Sequence, residues 1–216
     1  MNRAEEDYVK MIYLQTVEKD LALVKLQELS EEIGVTIQTT NEMIKRLEKN
    51  GLVKYIPYKG VKLTKQGKNE AIRMIRSHRV LEVFLTETLK FNWGEVHEDA
   101  ELLEHSASER VINALYNFLG KPESDPHGNP IPKSDVETLP VTQLSIHDLV
   151  VGDKFVIERV SENKSLLSYL DKQGIKLKDE FTLKAKDVEL GVFEIEGKNT
   201  YTINSNIAKL IYVKLN

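Results

Sequence analysis

Five of the chain's six prolines, at positions 122, 126, 130, 132 and 140, fall between Gly120 and Pro140. Proline lacks a backbone N–H and holds φ near one value, so neither a helix interior nor a central strand runs through such a stretch. It reads as an extended linker and a domain boundary. Before it, apolar residues recur at helical spacing; after it, they fall in short strand-like runs separated by turns. The 216 residues are long for one compact domain and comfortable for two. The expected fold class is therefore mainly α with a small β domain. Residues 1–66 form one domain, 67–140 a helical second domain with the Pro-rich linker, and 141–216 a small antiparallel barrel.

The N-terminal part carries an ordered set of signals. Ala4 to about Val17 reads as a helix, with Asp7 in its first turn, where the helix dipole favours an acid. Lys25–Gly34 forms a short amphipathic helix with Leu26, Leu29 and Ile33 as its apolar stripe and Gly34 as its stop. Thr36 opens a second helix to about Asn50, with Met43, Ile44 and Leu47 facing inward. Two short helices joined by a tight turn make a helix-turn-helix. The other face of the second helix keeps Thr36, Gln38, Thr39, Asn41, Glu42, Lys45 and Arg46, groups suited to base edges and phosphates in a major groove. Leu52–Ile56 and Val61–Thr64 then form a hairpin around Pro57–Gly60, a wing that presents Lys59. Lys45–Lys65 holds seven Lys or Arg against one acid, Glu48, a basic patch that the net charge of −4 conceals. Double-stranded operator DNA is the expected partner.

Lys65 to about Lys90 reads as a long helix in which His78 and Glu82 face the same way. Gly94–Glu109 opens the next helix, running to about Leu119, and holds six carboxylates and two histidines with no Lys or Arg. On one helix, His97, Glu101, Glu104 and His105 share a face. Like charges at that spacing oppose the helix unless something compensates. A divalent cation would do so, and carboxylate and imidazole donors without thiolate suit Mn, Fe(II) or Zn. The chain has no cysteine, which excludes disulfides and Cys-based zinc sites. The apolar run Val111–Leu119 needs a surface to pack on, and a symmetric dimer interface supplies one. No apolar run approaches the roughly 18 residues of a membrane span, and Met1–Asp7 lacks the apolar core of a secretory signal. These features point to a cytoplasmic protein without a membrane partner.

Taken together, these segments resemble the diphtheria-toxin-repressor family of metal-dependent transcriptional repressors, and most of all its three-domain manganese-responsive branch. The resemblance is carried by Asp7–Tyr13, Arg46–Val53, Leu63–Gly67, Ser77–Arg79, the acidic helix at His97, Glu101, Glu104 and His105, Pro126–Pro132, and a C-terminal segment similar to the SH3-like FeoA module. It implies a homodimer whose first domain binds DNA and whose middle domain dimerises and holds metal. The implied main site uses Asp7, His78, Glu101, Glu104 and His105, so that Asp7 links the first helix to the acidic helix. A second site is implied at Glu82, Asp125, His127 and Glu162, with His97. Asp7 and Glu101 stand where the toxin repressor has sulfur ligands, and hard oxygen donors favour Mn(II). Fe(II) is the other implied activator, with Zn(II) or Cd(II) as substitutes. Two-domain manganese regulators carry a ligating Glu where this chain has Lys10, which argues against their two-metal arrangement. The expected function is repression of manganese- or iron-uptake genes. Rival readings are a winged-helix regulator sensing an organic ligand and a carboxylate–histidine metallohydrolase. No nucleophile motif or phosphate-binding loop accompanies the cluster, so neither an enzyme nor a small organic substrate is expected.

Overall fold

A computed structural model describes residues 1–134 and 141–216. In chain order the elements are α1 (Arg3–Tyr13), α2 (Leu26–Ile33), α3 (Ile37–Lys49), β1 (Val53–Ile56), β2 (Gly60–Leu63), α4 (Lys65–Val83), α5 (Val96–Glu104), α6 (Glu109–Phe118), β3 (Lys154–Val160), α7 (Lys164–Gln173), β4 (Glu180–Asp187), β5 (Val192–Glu196), β6 (Thr200–Asn204), α8 (Ser205–Ala208) and β7 (Ile211–Leu215). They gather into two compact units. One comprises Met1–Leu81, Ala100–Pro122 and the described part of Ile131–Pro140; the other comprises Glu82–Asp99, Glu123–Pro130 and Val141–Asn216.

The first unit holds the winged helix-turn-helix. Gly34 ends α2 in a left-handed conformation, φ 76°, which costs glycine nothing. Two residues later Thr36 caps α3, its hydroxyl accepting from the Thr39 N–H at 3.1 Å. This tight break between two amphipathic segments forces the second helix to turn across the first. The wing pairs Val53 with Leu63 through Ile56 with Gly60, and Val61 bridges back to Val24. Val9, Ile12, Val24, Leu29, Ile44, Leu47 and Val61 are fully buried in one core with Ile72 and Ile75. Truncating one of the larger of these to Ala would cost about 2–5 kcal/mol.

Several boundaries differ from the sequence-based expectation. Asn2 and Glu5 close a capping box that starts α1 at Arg3, so Asp7 lies beyond the first turn, whose acids are Glu5 and Glu6. The helix then passes into a π-helical turn, Leu14–Glu18, and α4 likewise gives way to one at Phe84–Thr88. The acidic helix is not continuous to Leu119. It stops at Glu104, and Ser108 caps α6, its hydroxyl accepting from the Val111 N–H. A serine followed by Glu109 is a helix-start signal that the unbroken apolar pattern masked.

In the second unit five strands form one antiparallel sheet in the order β6-β5-β4-β3-β7. Register shifts within β3 against β7 and within β4 against β5 bend it. Phe155, Ile157, Leu183, Phe193, Ile195 and Ile211 fill its inner face, with Leu166, Leu167 and Leu170 of α7. The proline-rich stretch is folded where it is described. Ser124 bridges Pro130, and the Asp125 carboxylate accepts from the backbone N–H groups of His127 and Asn129 at 2.8 and 2.9 Å. Gly128 (φ 90°) lets this loop lie against β3, because a Cβ there would stand 2.2 Å from the Glu158 carbonyl oxygen. Residues 135–140, where the linker was expected to end, lie outside the described residues.

Candidate functional site

In the first unit α1, α4 and the end of α5 bring a set of charged side chains together. Donor atoms of Asp7, Glu104 and His105 all lie within 4.8 Å of one another. His105 sits in the turn just past α5, so its ring is free of the helix face and swings toward α1. Its Nε2 lies 3.0 Å from Asp7 Oδ1 and 3.6 Å from Glu104 Oε1. Its Nδ1 donates to Glu6 Oε2 at 2.7 Å, and Arg73 holds the other Glu6 oxygen at 3.0 Å. A carboxylate on one ring nitrogen fixes the tautomer and leaves the other nitrogen for a cation.

Glu104 is the centre of the group, its side chain 0% exposed. His78 Nδ1 donates to its Oε2 at 2.6 Å. Lys10, on α1, donates to both of its oxygens at 2.9 Å and to Glu101 Oε1 at 3.5 Å. Burial alone would push the Glu104 carboxyl up, but the His78 hydrogen bond and the Lys10 charge outweigh it and hold it below the ordinary range. Asp7 is pushed the other way: burial raises it, and the neighbouring His105 only partly offsets this. Of the five residues expected to act together, Asp7, Glu104 and His105 converge, His78 joins through Glu104, and Glu101 stands at the edge, 45% exposed and reached through Lys10. His97, earlier on the same α5, is not part of this set.

The second unit holds another cluster. Donor atoms of Glu82, Asp125, His127 and Glu162 lie within 4.8 Å of one another. His97 Nδ1 lies 2.9 Å from Glu162 Oε2 and 3.6 Å from Glu82 Oε1. Glu82, Asp125 and His127 are buried. His127 donates Nε2–H to the Trp93 carbonyl oxygen at 2.8 Å. Its buried Nδ1 makes no hydrogen bond and faces Glu82 Oε2 at 3.4 Å. Burial opposes protonation of this ring, yet the Glu82, Asp125 and Glu162 carboxylates raise it to about 9. A buried ring nitrogen aimed at three carboxylates fits a divalent cation, and so does a donor set of oxygen and imidazole nitrogen. Asn129, which donates to Asp125 Oδ2 and Glu162 Oε1 at 2.9 and 2.8 Å, and Trp93 carry no ligand signature in sequence; only the fold shows that they orient this cluster.

The expected DNA-facing residues lie on α3, at its N-cap and in the wing turn of the first unit. Thr36, Gln38, Thr39, Glu42, Lys45, Arg46 and Lys59 are exposed and Asn41 is half-buried. Arg46 is also tied internally, its Nε 2.8 Å from Glu5 Oε1. Thr40, overlooked in the sequence, is buried and shares a 3.0 Å hydrogen bond with the Tyr8 hydroxyl. Contacts from Glu5 and Tyr8 thus couple α1, the helix carrying Asp7 and Lys10, to α3.

Fold and clusters together define a winged-helix DNA-binding protein with carboxylate–imidazole centres. Comparison with known proteins agrees: residues 1–61 match the iron-dependent repressor N-terminal DNA-binding domain, 64–133 its metal-binding and dimerisation domain, and 144–215 the FeoA domain. The chain is 26% identical to the iron-dependent repressor IdeR of Mycobacterium leprae over 97% of this chain and 96% of that one. Among solved structures, a manganese-dependent transcriptional repressor in complex with manganese is 32% identical (TM-score 0.91, covering 98% of this chain and 100% of that one), and the manganese regulator SloR is 31% identical (TM-score 0.83, 98% of each). The chain belongs to the diphtheria-toxin-repressor family and is a metal-dependent transcriptional repressor, not an enzyme.

Proposed function

We propose that this repressor responds to Mn(II), with Fe(II) as the alternative activator, and controls genes for uptake of that metal. Asp7, His78, Glu101, Glu104 and His105 form the switching site. Glu82, Asp125, His127, Glu162 and His97 form a second site. The observation that carries this reading is the convergence of Asp7 on α1 with Glu104 and His105 at the end of α5, in a protein whose α1 is also bonded to the recognition helix through Tyr8–Thr40 and Glu5–Arg46. A cation holding α1 to α5 therefore constrains α3 as well. Metal binds one arrangement of these helices better than others and shifts the population toward it.

Thr36, Gln38, Thr39, Asn41 and Glu42 meet base edges, while Lys45, Arg46 and the wing residue Lys59 meet phosphates. The protein works in the cytoplasm as a homodimer, in which α6 supplies part of the interface. Val111 and Phe118 on that helix are 48% and 71% exposed in the single chain. Two symmetric reading heads match a palindromic operator. The division into domains at residues 1–66, 67–140 and 141–216 is supported by three separate family matches.

The test is a fluorescence-anisotropy titration of the protein on DNA taken from upstream of manganese-uptake genes, with chelator and with Mn(II). Tight binding only with Mn(II) is expected. Equal affinity in both conditions would remove the switch.

A further inference from the structure

Lys10 is the one lysine of α1, and its side chain is 10% exposed. A lysine ammonium has three hydrogens and no acceptor capacity. Two of them go to the two Glu104 oxygens at 2.9 Å, and the third points toward Glu101 Oε1 at 3.5 Å. The same nitrogen lies 3.3 Å from His78 Nδ1. A full positive charge therefore already sits among Glu104, Glu101 and His78, three of the five residues assigned to the switching site, and is bound to both oxygens of the most buried of them.

An ammonium and a divalent cation compete for these oxygens. Two like charges a few ångströms apart in a buried site repel strongly, and Lys10 on both Glu104 oxygens with His78 on Oε2 takes most of the roughly four lone-pair sites a carboxylate offers. Resting on the assignment of the switching site made above, we propose that Lys10 is a resident competitor for the metal. It neutralises the cluster when no metal is bound, and it must leave Glu104 before a divalent cation can engage. The cell's metal concentration is thereby read against an internal cation, which sets the response threshold higher than the ligands alone would. Because competition is reciprocal, Lys10 stabilises the metal-free protein by the same interaction that weakens metal binding.

The experiment measures Mn(II) affinity of the full-length protein by electron paramagnetic resonance of free Mn(II), alongside melting temperature in chelator, for wild type, K10M, K10Q, K10R and E104Q. K10M and K10Q are expected to bind Mn(II) about tenfold more tightly at this site, within the usual range of coupling between two ligands, and to melt lower in chelator. K10R, which keeps the charge, is expected to bind no more tightly than wild type. Folded K10M and K10Q proteins that bind Mn(II) equally or more weakly would show that Lys10 supports the ligands rather than opposing the metal, and would overturn the proposal. E104Q separates the two levels of the argument. If it binds Mn(II) with the full wild-type stoichiometry and affinity, the assignment of the switching site itself has failed.

Discussion

The Glu6 carboxylate holds the Nδ1 edge of the His105 ring at 2.7 Å, and that contact decides which nitrogen faces the ligand cluster. Glu6 ligates nothing in the proposed site, yet it orients a residue that does. Replacing it by Gln keeps the shape but allows the amide to present its nitrogen and lose the strong acceptor. Outer partners of this kind typically contribute about 10- to 100-fold in metal affinity. E6Q is expected to weaken Mn(II) binding by that order while leaving DNA binding of a fully metal-loaded protein intact. Isothermal titration calorimetry checks the first part and anisotropy at saturating Mn(II) the second.

Glu104 and Asp7, two of the three carboxylates assigned to the switching site, respond oppositely to pH. Glu104 is held below its ordinary value of 4.5, so its pairing with His78 and Lys10 contributes stability that is present above that value and is lost as pH falls through the depressed one. Asp7 is raised above 3.8, so its ionisation costs stability once pH climbs past its unfolded value. In chelator near neutral pH, E104Q should melt lower than wild type and D7N higher. The E104Q difference should shrink as the medium is made more acidic than about pH 4.5. Differential scanning fluorimetry across pH 3.5–8 (about five steps suffice) reads both signs.

Trp93 is the chain's single tryptophan. Its carbonyl accepts from His127, its ring stacks on that imidazole at 5.9 Å between centroids, and its indole N–H donates to Asp171 Oδ1 at 2.8 Å. Removing the Asp171 carboxylate by D171A is expected to loosen the indole, shifting its emission to longer wavelength, and to weaken metal binding at the second cluster by roughly tenfold. Emission that stays unchanged on substitution would show that the Asp171 contact does not hold the ring.

On the DNA side, Gln38 and Lys59 are assigned different work. Gln38 lies in the first turn of α3, where an amide reads base edges; Lys59 lies in the wing turn, where an ammonium meets phosphate. Q38A is expected to cost about 1–3 kcal/mol on the preferred operator and to relax preference at one base position. K59A is expected to weaken all sequences alike and to reduce the salt dependence by about one ion released per contact. Anisotropy titrations at several salt concentrations on matched and altered operators distinguish the two patterns.

Local chemistry was enough to read the winged helix and the strands of the second unit. Gly34 and Thr36 mark a tight turn by their own backbone preferences, and the apolar spacing of Ile44 and Leu47 or of Phe155 and Ile157 follows from helix and strand periods that need no distant partner. The family resemblance, too, was carried by short stretches such as Asp7–Tyr13 and the acidic segment. What sequence alone could not decide was which charges meet. His97 and His105 look equivalent on one acidic helix, but α5 ends at Glu104, and in the turn beyond it His105 meets Asp7 and Glu6, while His97 faces Glu162 and Glu82. In sequence Lys10 marks only a missing ligand, and the fold alone puts its ammonium on Glu104. Electrostatic contacts depend on distances of a few ångströms between residues as many as 99 positions apart, and those distances exist only once the chain has folded.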